Sequence, residues 1–328
     1  MDIENTIKKE SHFLTEFKFE AGDVLRGVKV EYGTLGTPKY DKYGRVINAI
    51  VYCHGSSGSY KSVRRINEIT GPGEVIDTDK FFIISMSTLG SPGSASPSTT
   101  SLGHNFPKYN IKDMVNFQIK FLKEKYRMNH IIGVIGNSMG GFEALTWATE
   151  YPDFMDFTIS LASSYKTAGH NYALSKFMNH IIETDPDYNE GKYSKKLARS
   201  LRLASESVYT FGQSKSYYRE CSNDEIDEEM IMLAEEGVLD DPNDLIYNNN
   251  ASLNYDIEKD LGKLKSKLLI IAIEGDEFFP PELDGIPLHN IVSGSELIIF
   301  KSLHGHLGSY ELKQVSDKIE DFLKEFKE

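Results

Sequence analysis

Residues 133–148 read GVIGNSMGGFEALTWA, and within them Gly136, Ser138 and Gly140 have the spacing G-x-S-x-G. An apolar run comes before the serine and a helical pattern comes after it. In that setting a serine stands at the tip of a strand-to-helix turn so tight that flanking side chains would collide, hence the glycines. The backbone at the tip is strained. The serine Oγ then lies at the start of a helix, where free N–H groups and the positive dipole end favour developing negative charge. The chemistry this suits is nucleophilic attack by the serine. A phosphate-cradling glycine loop is the rival use of such a stretch, but its Gly-Lys-Ser/Thr ending is missing.

A serine hydroxyl needs a base to take its proton, and the base needs a carboxylate to orient it. With this kind of turn the acid and then the histidine follow the serine in the chain. LLIIAIEGDEFFPPE sets Asp276 just past an apolar run, with Glu274 nearer the body of that run and Glu277 beyond the turn. Read blandly, Asp276 is a turn or N-cap residue. His289, His304 and His306 come later. His289 precedes the last apolar run and belongs at the wrong end of a sheet. His304 and His306 both follow that run, and spacing does not separate them. His-x-His as a metal pair lacks a third ligand at suitable spacing, so no metal site is expected. The oxyanion of an acyl intermediate must meet backbone donors. Met139 N–H is one, and the loop His54-Gly55-Ser56-Ser57-Gly58 offers Ser56 N–H as the other. His54 reads as a residue that orients this loop.

The elements around these residues alternate. FKFEAGDVLRGVKVEYGTLG has the two-residue period of antiparallel strands. NAIVYCHG, KFFIISMS, IIGVIG and FTISLAS are short apolar runs. Ile111, Met114, Val115, Ile119, Phe121 and Leu122 have helical spacing. The alternation predicts an α/β fold, a mostly parallel sheet with helices on both faces. From about Tyr165 to Tyr255 the chain becomes polar, Tyr-rich and helical. LLIIAIEGD and SELIIF then resume the sheet, and an amphipathic helix is expected over SYELKQVSDKIEDFLKEF. This gives a core of residues 1–164 and 256–328 and a helical lid insertion over 165–255.

With 49 acidic and 36 basic residues, the formal net charge of −13 argues against a general phosphate-backbone binder, so no nucleic-acid partner is expected. No apolar run is long enough to span a membrane, and the polar N-terminus lacks a signal-peptide core. Two cysteines, Cys53 and Cys221, imply no disulfide framework, and a cytoplasmic location is expected.

The chain resembles the homoserine O-acetyltransferase family of α/β-hydrolase-fold enzymes, including its esterase-like relatives. HGSSG, GPGEVIDTDKFFII, LGSPGSASPS, FPKYNIKDMV, VIGNSMGGFEALTWATEYPD, ETDPDYNEGKY and DEFFPPE are similar to family blocks, in family order. The Gly305-His306 pair resembles the Gly-His that carries the family's base. The resemblance thus implies a catalytic triad of Ser138, Asp276 and His306, and an acyl-serine enzyme. Arg202 and Tyr209 have the spacing of the family's acceptor-binding pair; otherwise Arg202 is a lid arginine on a solvated face. Leu307 departs from the family, whose aspartate at that point pairs with the acceptor's ammonium group. Leucine cannot do this, and an unpaired buried ammonium is costly. A small acyl ester split by water is therefore expected first, and O-acetyl transfer to a hydroxyl compound second. A non-catalytic binding protein on the same scaffold is the third reading. The partner is a small-molecule ester or thioester. No tightly bound cofactor is implied, and acetyl-CoA enters only as co-substrate. Lys61, Arg64 and Arg65 read either as a solvated helix face or as contacts to coenzyme A phosphates. The resemblance also implies a homodimer.

Overall fold

Polar–apolar alternation at the N-terminus produces a long antiparallel hairpin, β1 (Lys8–Lys18) and β2 (Val24–Leu35), with Leu14 opposite Val28. The structure is a computed structural model that describes residues 6–327. β3 (Ala49–Cys53) is buried at every residue. A 3-10 helix, Tyr60–Ile69, follows it, and then the small ladder of β4 (Thr70–Gly71) and β5 (Ile76–Asp77). β6 (Phe82–Met86), α1 (Ile111–Tyr126), β7 (Ile131–Asn137), α2 (Met139–Glu150) and β8 (Met155–Leu161) continue the alternation. A block of helices comes next: α3 (Gly169–Glu183), α4 (Ala198–Gly212), α5 (Lys215–Glu220), α6 (Asn223–Gly237) and α7 (Pro242–Leu253). β9 (Lys267–Glu274), α8 (Gly285–Ile291), β10 (Glu296–Lys301) and α9 (Ser316–Leu323) close the chain.

The main sheet has the order β1-β2-β6-β3-β7-β8-β9-β10. It is antiparallel from β1 to β6 and parallel from there on. Strands covered on both faces must be apolar on both, which explains their unbroken hydrophobic runs. In β3, Val51 and Cys53 enter the core with Phe117 and Trp147, while Ile50 and Tyr52 enter the opposite core with Leu312 and Phe322. α1 starts with a reciprocal cap between Asn110 and Asp113 and ends at Arg127, which has a left-handed φ of 54°.

The helical block leaves and re-enters the core at adjacent points. Lys166 bridges Asp256, Thr167 N–H donates to Tyr255 O at 2.8 Å, and Ile257 N–H donates to Tyr165 O at 3.1 Å. The block has a small core of its own around Ile182, Leu201 and Ile246. Inside it, residues 189–191 of the expected helical stretch form only a 3-10 turn, with Asn189 and Glu190 at positive φ.

The C-terminal helix is shorter than the periodicity predicts. Gly305–Tyr310 and Leu312–Val315 are 3-10 turns, and α-helix begins only at Ser316. The tighter winding turns His306 and Ser309 inward, and both are buried. Among the described residues no helix is long and apolar enough to cross a membrane.

Candidate active site

Ser138 joins β7 to α2 with φ 58° and ψ −123°, a conformation that disfavours side chains and is held by its surroundings. The flanking glycines are demanded by contact. A Cβ on Gly136 would lie 1.9 Å from Gly140 O, and one on Gly140 would lie 2.1 Å from Cys53 O. Ser163 Oγ donates to Ser138 O at 2.7 Å and braces the turn from β8.

His306 Nε2 lies 2.9 Å from Ser138 Oγ, and its Nδ1 lies 2.8 Å from Asp276 Oδ2. A carboxylate only accepts, so Nδ1 carries the proton and Nε2 is free to accept the serine hydroxyl. Asp276 is itself fixed, because its Oδ1 accepts the N–H groups of Phe278 at 2.8 Å and Phe279 at 3.0 Å. The rings of Phe278 and Phe279 flank the imidazole, with centroids at 4.6 and 5.5 Å. The three side chains come from the C-terminal ends of β7, β9 and β10, where sites of open α/β sheets gather. Such a group can draw the proton from a hydroxyl as it attacks a carbonyl.

The other sequence candidates fall elsewhere. His304 Nδ1 sits 3.3 Å from Gln213 Oε1, and its ring contacts those of Tyr217 and Tyr310. His289 Nδ1 meets Ser295 Oγ. Glu277 pairs with Lys215. Arg202 and Tyr209 are not brought to Ser138. Arg202 pairs with Glu235 of α6, and the Tyr209 hydroxyl donates to Glu229 at 2.6 Å. α4 turns both toward α6 and turns Val208 toward the cavity.

That cavity, about 530 Å³, opens above Ser138. Ser56, Met139, Leu307 and Phe279 line it. Leu307 also packs against Gly212, the last residue of α4. Met139 opens α2, so its N–H has no acceptor within the helix. The Gly55 Cα side faces Ser138 directly. Among the described residues no group of three His, Cys, Asp or Glu side chains is arranged to hold a metal ion.

A buried polar chain backs the oxyanion-type loop, and sequence reasoning found only one of its members. His54 Nε2 accepts Thr88 N–H at 3.1 Å, so Nδ1 carries the proton and donates to Gly55 O at 2.7 Å. Burial pushes the imidazole down to about 4, which keeps it neutral. In a planar trans peptide the N–H points opposite the C=O, so anchoring Gly55 O fixes the direction of Ser56 N–H. Thr88 Oγ1 donates to Glu143 Oε2 at 3.3 Å, and Gln118 donates to the same oxygen. Burial raises the Glu143 carboxyl to about 8. The signal available in the sequence was a Glu and a Gln inside apolar helical runs.

The model of the alpha/beta hydrolase fold family matches residues 48–305. A probable acyltransferase of Methanothermobacter thermautotrophicus is 46% identical over 310 residues, 94% of this chain and 96% of that one. A homoserine O-acetyltransferase of Methanosalsum zhilinae is 30% identical over 314 residues, 83% of this chain and 63% of that one. The solved structure of an acetylester hydrolase from Corynebacterium glutamicum superposes with a TM-score of 0.87 at 25% identity, covering 97% of this chain and 96% of that one. The chain therefore belongs to the alpha/beta hydrolase fold family, as an enzyme of the hydrolase and acyltransferase type.

Proposed function

We propose that the protein hydrolyses a small acyl ester through an acyl-Ser138 intermediate. The observation that carries this reading is the pair of hydrogen bonds at His306, whose Nε2 accepts from Ser138 and whose Nδ1 donates to Asp276. Ser138 Oγ attacks the carbonyl carbon while its proton passes to His306 Nε2, and Asp276 stabilises the imidazolium. Met139 and Ser56 N–H groups receive the oxyanion. As the C–O or C–S bond to the leaving group breaks, His306 returns the proton to it. Water then gives a proton to His306 as it attacks the acyl carbonyl, and when the C–Oγ bond breaks His306 returns that proton to Ser138 Oγ, releasing the acid. Water is favoured as acceptor by Leu307, an apolar side chain in the cavity wall beside the base. The block 165–255 serves as the lid over this chemistry.

A second reading, O-acyl transfer from a thioester such as acetyl-CoA to a hydroxyl compound, is supported by the relative named an acyltransferase at 46% identity. The first half-reaction is common to both. The test is a burst assay with 4-nitrophenyl acetate and acetyl-CoA, with and without hydroxylated amino acids. Turnover independent of the alcohol supports hydrolysis, and turnover that needs one supports transfer. Failure of a fluorophosphonate to label Ser138 removes both.

A further inference from the structure

The guanidinium of Arg65 is half-buried in the cavity wall that also holds Ser138 and His306. It carries five N–H donors. One of them, on Nη1, donates to Ser309 Oγ at 3.3 Å. Among the described residues no carboxylate lies within ion-pair distance of Arg65. The acids around the neighbouring Tyr310, Glu68 and Glu311, are turned to other groups: Glu68 to Lys313 N–H, Glu311 to Gln314 and His304. A cation partly withdrawn from water without an anion is costly, and an arginine fork fits carboxylate or phosphate oxygens.

Its position ties it to the reacting atoms. Ser309 is buried three residues after His306, and its Oγ reaches Asn137 Oδ1 at 3.5 Å. Asn137 directly precedes Ser138. The cavity lining contributed by the helical block is acidic, with Glu236, Asp240, Asp241 and Asp244. Those acids disfavour an anion beside them, which leaves Arg65 as a place in the lining that favours one.

We propose that Arg65 and Ser309 form a subsite for an anionic group of the substrate, a carboxylate or phosphate. This rests on the acyl-transfer reading and narrows it to substrates that carry negative charge. Two sources share this chemistry: an acyl chain ending in a carboxylate, and the phosphates of a coenzyme A leaving group.

The test uses the full chain with three substrates. These are 4-nitrophenyl acetate, mono-4-nitrophenyl succinate with its charge on the acyl chain, and acetyl-CoA with its charge on the leaving group. R65Q is expected to lower kcat/KM for one anionic substrate about tenfold or more relative to 4-nitrophenyl acetate, the order expected for one charge-assisted bond, with partial recovery in R65K. A loss confined to the succinate monoester assigns the charge to the acyl chain, and a loss confined to acetyl-CoA assigns it to the leaving group. An unchanged ratio for both overturns the subsite. Titration calorimetry of S138A against S138A/R65Q with the same two anionic compounds reads binding without chemistry; equal affinities overturn the proposal there too. Fluorophosphonate labelling of the unaltered protein keeps the two failures apart. Labelled Ser138 with no effect of R65Q removes the subsite alone, whereas absence of label removes the acyl-transfer reading and leaves calorimetry to decide the subsite.

Discussion

Leu307 and Glu143 are single side chains that set terms for the rest of the site. Leucine beside His306 leaves the cavity wall apolar where an ammonium group would need a counter-charge. L307D is expected to raise acceptor-dependent turnover with hydroxylated amino acids over turnover with water alone. Equal partition in the two proteins would show that this wall does not select the acceptor. Glu143 presents Oε2 to Thr88 and Gln118, and its Oε1 is buried without a partner. The groups facing it include Thr88, Gln118, Cys53 and Tyr109, none of them cationic. Its folded-state value of about 8 lies above the ordinary 4.5. Between those values the folded protein holds a proton that the unfolded chain has released, so stability from this group is full below about 4.5 and is lost as pH rises toward 8. E143Q has no such loss. Its stability advantage over the parent should widen between pH 5 and 8 by on the order of a few kcal/mol in urea titrations. A gap constant across that range would mean that Glu143 ionises like an exposed carboxyl. Ser138 was legible because its motif fixes residue types around one turn, whereas His306 was singled out only by the resemblance of the Gly305-His306 pair. His304 and His306 were not separable by spacing, since the loop carries both to the same strand end and only the 3-10 winding picks one. The Glu143 chain was hidden because Gln118 and Thr88 reach it from distant elements.

Elements position these groups by contact as much as by helix or strand preference. The first turn of α2 lies so close to the end of β3 that Gly140 has no room for a side chain. G140A should cost on the order of 3 kcal/mol in urea denaturation, since the Cβ presses on backbone that cannot rotate away. A midpoint unchanged from the parent would show that the β3 loop yields instead. The strands and α1 were readable from period and capping residues, because burial on one or two faces imposes the pattern. α9 was over-extended in the sequence reading. An apolar–polar period cannot distinguish α from 3-10 winding when buried Ser309 and His306 must turn toward the core. Arg202 and Tyr209 show the same limit: seven residues fix their relation along α4, but which neighbour that face meets is decided by α6.

At the scale of the molecule, two large apolar cores flank the sheet, while the helical block relies on a smaller cluster and on its seat against the first core through Leu174 and Ala251. The loop 192–197 within that block exposes Lys192, Lys195 and Lys196. Trypsin at low ratio should cut there first, read by mass, and leave the sheet-forming parts intact. First cuts within the parallel strands would contradict a separable block. The block touches the core most tellingly at its α4–α5 corner. Ser214 N–H and Oγ both donate to Leu303 O, and Gly305 has Ser214 N within 2.8 Å of where a Cβ would stand. Gly212 rests on Leu307. The segment that supplies the imidazole is thus clipped on both sides to the roof above it. A displacement of that corner would therefore be felt directly at the imidazole.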